Sequence, residues 1–145
     1  MRLSARTEYA AIAVVELARH VGSRNPVRIR AICEAQGVPA GFLVHILLQL
    51  KAAGIITSTR GAAGGYRLAR PPQQVTLEDI HRAVEEPGEA VSPISVQLAS
   101  QSPPAAVLVG AWREVAAAEA KALRSVSIAE LASRCKSAHG AMYHI

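Results

Sequence analysis

The sequence predicts a mainly α-helical chain with one small β-hairpin, and three observations predict it. Half of the 145 residues are hydrophobic but only 3% are aromatic. The core is therefore built from Ala, Val, Leu and Ile, and Ala is the best helix former. Apolar residues recur at steps of three and four in several segments, the period of a helix with one buried face. Between residues 55 and 70 that period gives way to two short runs around Gly61-Ala-Ala-Gly-Gly65, a loop too rich in glycine to be anything but a turn.

Ser4 caps a first helix running to about residue 20, with Tyr9, Ile12, Ala13, Leu17 and Ala18 as its apolar stripe. Gly22-Ser-Arg-Asn-Pro26 breaks it. A short second helix covers roughly residues 28–36 and buries Ile29, Ile32 and Ala35. Gly37 stands where a helix ends, and Pro39 suits the first turn of the next. The third helix runs to Ala53, stops at Gly54, and faces Leu43, Ile46, Leu47 and Leu50 inward. Two short amphipathic helices joined by about three residues, with a glycine in the turn, make a helix-turn-helix. Residues 55–60 and 66–70 read as strands, and a hairpin directly after the third helix occupies the place of a wing.

Pro71-Pro72 ends the hairpin, and Thr76-Leu-Glu-Asp79 opens a fourth helix as a capping box with Asp in the last position. It runs to about residue 86 and buries Leu77, Ile80 and Val84. Residues 87–104 are rich in Pro, Ser and Gly and read as a linker or irregular loop. A long helix follows to about residue 124, its apolar positions Leu108, Ala111, Trp112, Val115, Ala118 and Ala122 spaced by three and four. Ser127-Ile-Ala-Glu130 is a capping box for one more short helix. The expected organisation is a winged helix-turn-helix over residues 1–86, a linker over 87–104, a dimerisation helix with its short capping helix over 105–137, and a tail over 138–145.

Charge divides the chain in the same place. Residues 1–70 hold ten Lys or Arg against three acids, a net of +7, while the remainder holds six bases against eight acids, a net of −2. Ordinary solvated charge can produce such an imbalance, but a basic front half joined to a mildly acidic rear also fits a polyanion-binding module. The N-terminus runs directly into an amphipathic segment with no signal peptide, and no apolar run is long enough to span a bilayer. Cys33 and Cys135 form neither a disulfide framework nor a metal-spaced pair. A reducing, cytoplasmic setting with no membrane partner is the expectation.

Several motifs converge on one family. Met1-Arg-Leu-Ser4 with Tyr9-Ala, Gly37-Val-Pro and Leu50-Lys-Ala-Ala-Gly54-Ile lead to Arg60-Gly-Ala-Ala-Gly-Gly-Tyr-Arg-Leu-Ala-Arg70-Pro, and then to Val75-Thr-Leu-Glu-Asp-Ile-His-Arg-Ala-Val-Glu85. Together they resemble the Rrf2 family of bacterial winged helix-turn-helix regulators, which includes iron–sulfur, nitric-oxide and cysteine-metabolism regulators. The resemblance is strong over residues 1–86 and looser over the long helix. It implies a homodimer bound to double-stranded DNA at a palindromic operator, most often as a repressor. Cluster-binding members supply three cysteines in the loop before the long helix. The segment 87–104 here holds no cysteine and no histidine, and iron–sulfur clusters need thiolate ligands. The chain thus resembles the cluster-free branch, and no cofactor is expected.

A recognition helix reads base edges in the major groove while surrounding cations neutralise phosphate. Ala40, Gly41, Val44 and His45 lie near the start of the third helix, with Gln49 further along. His45 and Gln49 can hydrogen-bond to bases or phosphates. Val44 and Leu48 either touch thymine methyls or pack against the wing or first helix, and the pattern leaves both readings open. A helix so poor in polar groups shifts specificity toward groove shape. By resemblance, Arg60 and the Gly64-Gly65 tip lie in or beside the minor groove, whose potential attracts an inserted Arg, and Arg67 reaches phosphate from the flanking strand. Arg28 and Arg30 stand at the start of the second helix, where phosphate is favoured.

Leu108, Trp112, Val115, Ala118 and Ala122 are the candidate dimer seam, with burial of Trp112 inside the monomer as the alternative. Cys135, His139 and His144 are close in sequence but match no common zinc spacing, so no metal site is expected. Cys33 reads as a small core hydrophobe. A winged-helix protein-interaction module, or a co-regulator partnered with a metabolic enzyme, is the competing class, and a small-molecule effector is compatible with either. An enzyme is not supported. No catalytic constellation appears, and the Gly61–Gly65 stretch lacks the Lys and following helix of a phosphate-cradling loop.

Overall fold

Ser4 stands in extended conformation and its hydroxyl accepts a bond from the Thr7 amide at 3.2 Å, which starts the first helix as a cap should. The computed structural model describes residues 3–86, 88 and 91–143, with side chains up to residue 137. Its elements are α1 (Ala5–Arg19), α2 (Ile29–Gln36), α3 (Ala40–Ala52), β1 (Ile56–Thr59), β2 (Gly65–Leu68), a 3-10 turn (Pro72–Gln74), α4 (Leu77–Val84), α5 (Pro93–Ala99), α6 (Pro103–Arg124) and α7 (Ile128–Tyr143).

The core gathers Ala13, Val14 and Leu17 of α1, Ile32 of α2, Leu43, Ile46, Leu47 and Leu50 of α3, Ile55 and the first β1 residue Ile56, and Ile80 and Val84 of α4. The inward face of α3 is the one expected. That of α1 is so in part: Ala13, Leu17 and Ala18 are buried and Tyr9 packs against the core as expected, but Ala10 and Val14 complete the stripe and Ile12 faces outward. The alanines explain the choice, because small side chains let α1 lie close to its neighbours. In α2 only Ile32 is fully buried. Ala35 is exposed, since the flank beside Ile32 is taken by half-buried Ile29, Cys33 and Gln36, whose amide donates to Glu16 at 2.7 Å.

Gly37 adopts φ +66, the left-handed conformation that ends α2 and that residues with a Cβ adopt at a cost. β1 and β2 pair antiparallel in the register Ile56↔Leu68 to Thr59↔Gly65. A third chain segment joins them: Val27 and Tyr66 exchange both backbone bonds, at 2.9 and 2.7 Å. The Thr76 box forms in full, with the Asp79 amide on the Thr76 hydroxyl and the Asp79 carboxylate on the Thr76 amide.

The rear half departs from the linker-and-appendage expectation. Residues 93–99 are helical, because Ser92 caps α5 and Pro93 occupies its first position. Ser and Pro are loop formers by composition, yet in that order they also start a helix. α6 likewise begins at Pro103 rather than 105. Ser127 caps α7 through the Glu130 amide at 3.1 Å, but the Glu130 carboxylate pairs with Arg134 instead of closing the box. α7 is not short and runs through most of the expected tail to Tyr143. Its Ile128 is fully buried in the main core, and its amide donates to the Val75 carbonyl at 2.8 Å. The end of the chain is therefore bonded back onto the front.

Candidate nucleic-acid interface

α3 buries one face and leaves the opposite one bare. Gly41, Val44, His45 and Leu48 recur at helical spacing and are all exposed. Val44 is 44% and Leu48 59% exposed and neither joins the packed core, so this apolar pair is open to a partner surface. Ala40 and Gly41 are also exposed, and a Cβ on Gly41 would meet nothing within 4 Å. Two contacts fix α3 against α1. The rings of Tyr9 and Phe42 meet edge to face at 5.4 Å. Arg6 donates twice to the Gln49 carboxamide oxygen, from Nε at 2.9 Å and from Nη2.

The wing glycines answer to internal packing. A Cβ on Gly64 would stand 2.2 Å from the Thr59 carbonyl oxygen, and one on Gly65 would stand 2.6 Å from that of Val27. Gly64 is buried. The loop folds onto its own strand and onto the Val27 segment, leaving Arg60, Gly61, Ala62 and Ala63 as the exposed tip.

A groove of about 490 Å³ separates the start of α2 from the wing, with Arg28, Arg30, Lys51 and Arg60 among its lining residues. Arg28 is the residue that precedes α2. Arg30 pairs with Glu34 at 2.8 Å with both side chains largely in solvent. Among the described residues Arg28, Lys51 and Arg60 form no ion pair. The sequence reading passed over Lys51, whose Nζ donates to Ser58 Oγ at 2.7 Å and bridges α3 to β1. Its place in the last turn of α3 was the available signal. Arg6 gave no such signal, since its partner is 43 positions away. Arg67 stands apart from these cations: its guanidinium donates to the backbone carbonyls of Ser23, at 2.8 Å, and Arg24. It ties the 23–24 loop to β2 because those carbonyls have no ladder of their own, and it does not line the groove.

Apart from Glu34, the acids that form hydrogen bonds nearby are engaged away from the groove. Glu16 accepts from Arg19, His20 and Gln36. Glu85 accepts from the Ser4 and Thr7 hydroxyls, which lower its pKa. Arg124 lowers that of Glu78 by a two-pronged bond, Nε to Oε2 at 2.6 Å. Arg28, Lys51 and Arg60 thus keep their field, while Arg30 shares its charge with Glu34.

The seam candidates Leu108, Trp112, Val115, Ala118 and Ala122 are all exposed on α6. Trp112 is 49% exposed, which removes burial inside the monomer as its explanation. Cys33 and Cys135 are free and half-buried. His144 and the side chain of His139 lie outside the described residues, among which no group of three or more His, Cys, Asp or Glu is placed to hold a metal. No helix among the described residues is long and apolar enough to cross a membrane.

Known proteins resemble this arrangement throughout. The family model Rrf2, described as an iron-dependent transcriptional regulator, matches residues 3–134. A Mycobacterium tuberculosis protein named as an HTH-type transcriptional regulator is 36% identical over 132 residues, covering 91% of this chain and 81% of its own. The IscR regulator of Cereibacter sphaeroides is 36% identical over 87 residues, 59% of this chain and 56% of its own. Among solved structures, T. potens IscR superposes with a TM-score of 0.73 at 28% identity, covering 95% of this chain and 90% of that one. CymR, the global cysteine regulator of B. subtilis, gives 0.72 at 26% identity, covering 92% and 98%. These relatives are regulators, not enzymes.

Proposed function

This chain belongs to the Rrf2 family of DNA-binding transcriptional regulators, and on that premise we propose that it acts as a homodimer, represses by occupying a palindromic operator, and does so without an iron–sulfur cluster. The observation that carries the DNA reading is the groove between α2 and the wing. It concentrates Arg28, Arg30, Lys51 and Arg60 beside a recognition helix whose outer face is bare. Phosphate contacts from such cations position the protein, and the helix reads the bases between them. Two copies related by a twofold axis place their recognition helices about one DNA turn apart, so the operator mirrors that symmetry. The exposed stripe on α6 is the surface for the second copy.

The residues present do not fit a cluster. The segment 87–104 holds no cysteine, and the two thiols of the chain stand on α2 and α7. Thiolate ligation is therefore not provided, whatever the family description says of iron. Protein purified without oxygen is expected to contain no iron and to bind its operator undiminished in the presence of chelator.

The decisive experiment titrates the purified chain with duplex DNA at several salt concentrations and measures its mass by light scattering. Six to eight phosphate contacts per dimer give a slope of roughly −5 to −7 in log affinity against log salt. A monomer at micromolar concentration sinks the dimer. No affinity for any duplex in dilute salt sinks the DNA reading itself.

A further inference from the structure

We propose that Arg6 makes Gln49 a donor-only reader of the major groove, so that the operator carries guanine where an unrestrained glutamine favours adenine. The inference rests on the DNA-binding reading above and specifies the chemistry of one contact within it. A free glutamine recognises adenine by using both ends of its amide: Oε1 accepts from the N6 amino group while Nε2 donates to N7. That pairing needs a vacant carbonyl oxygen. Here Oε1 accepts from both Nε and Nη2 of Arg6, and an amide oxygen has two lone pairs to give. Both are taken.

Nε2 is left with two N–H groups. It makes no hydrogen bond with another described side chain or backbone group. The one buried side-chain polar atom without a partner among the described residues is Arg70 Nε, so the amide nitrogen of half-buried Gln49 keeps access to solvent. Gln49 follows His45 by one turn on the flank of α3 that faces α1, and His45 is exposed. A group that only donates matches the N7 and O6 acceptors of guanine, and next the O4 of thymine. Against adenine it keeps only the bond to N7 and sets its second N–H against the N6 donor, a mismatch that disfavours adenine relative to guanine. Arg6 is a positioning residue here: it supplies the restraint and Gln49 supplies the contact.

The test is selection of bound sites from a random duplex library by the full chain and by Gln49→Met and Arg6→Met, with folding of each variant checked by its thermal transition. The position read by Gln49 is the one whose preference flattens in Gln49→Met. There the unaltered protein is expected to favour guanine or thymine over adenine by at least about fivefold, and Arg6→Met is expected to move the preference toward adenine. Loss of the Arg6 charge alone lowers affinity for all sequences and leaves that ratio unchanged. Should Arg6→Met fail to fold, Arg6→Lys takes its place, because one ammonium leaves a lone pair of Oε1 free. The proposal is overturned if adenine is favoured from the start, if the Arg6 variants keep the original preference, or if Gln49→Met alters no position. A library from which the unaltered protein enriches no site overturns the DNA reading as well, which separates the two failures.

Discussion

The helix-turn-helix with its wing and the α5–α6 arm use hydrophobic residues in opposite ways. In the front region Ile32, Leu43, Ile46, Leu47 and Leu50 are almost wholly buried. In the arm, Ile94 is 70%, Val107 74% and Val115 53% exposed, and α6 buries only Val109 among its 22 residues. Each exposed large apolar side chain forgoes about 1.5–3 kcal/mol that burial would contribute, and a contiguous patch of them marks an interface. The front is complete as one chain. The arm leaves its apolar face without a counterpart in the chain, and this is the surface proposed for the second copy.

The strongest way to break that contrast is to make the same deletion on both sides of it. Leu47→Ala removes a core side chain and is expected to cost about 2–5 kcal/mol of folding stability, measured by denaturant unfolding under conditions that hold protein concentration fixed. Trp112→Ala on the arm is expected to leave unfolding of a dissociated protomer nearly unchanged and to weaken self-association by about 2 kcal/mol, read by sedimentation across a dilution series. If Trp112→Ala unfolds the protomer as Leu47→Ala does, the arm is part of the core and the contrast is wrong.

Much of the front was legible because its signals are local. The inward face of α3, the Gly37 stop and the Thr76 box each lie within one or two helical turns of sequence. The groove was half legible: Arg28, Arg30 and Arg60 belong to recognisable positions, while the Arg6 bond to Gln49 and the Arg67 bonds to the 23–24 loop join residues more than 40 positions apart. No period or cap encodes such a pairing. The arm was misread where one composition serves two structures, since Ser92-Pro93 starts α5 with residues that also fill loops. The return of α7 to the core rests on buried Ile128 with Leu131 and Ala132 packed beside it, and these read from sequence as any apolar residues after a cap.

Within the front itself, the wing sharpens the comparison, because its root is structural and its tip is not. Gly64→Ala places a Cβ 2.2 Å from a backbone oxygen, so the hairpin must shift, at an expected cost of about 1–3 kcal/mol in stability. Arg60→Ala is expected to leave the thermal midpoint in place and weaken DNA binding by about 1–3 kcal/mol, followed by fluorescence anisotropy at fixed salt. The reverse pattern, a stable Gly64→Ala protein and an unstable Arg60→Ala one, would exchange their roles.

The smallest expected effect concerns the joint between the two regions. Glu78 of α4 and Arg124 at the end of α6 form a bidentate ion pair, a geometry that favours the charged forms of both partners. The bond from Arg124 lowers the Glu78 pKa from its ordinary 4.5 and raises that of Arg124. A carboxyl that titrates lower when folded stabilises the fold fully above its unfolded pKa, and that contribution is lost as pH falls through the folded value. Stability should therefore be level from about pH 6 toward neutrality, as far as this pair is concerned, and fall on the acid side of about pH 4.5. Glu85 adds the same sign, its carboxylate held down by the Ser4 and Thr7 hydroxyls. Glu78→Gln removes one of these two acid-sensitive contributions. Its thermal midpoint should lie below that of the unaltered protein near neutrality and approach it in acid, where the unaltered carboxyl is protonated and the ion pair is gone. Two parallel midpoint curves down to acid pH would mean that the ion pair contributes nothing to joining the arm to the front, and that the Val75–Ile128 and Leu77–Val126 backbone bonds hold the joint together with the burial of Ile128.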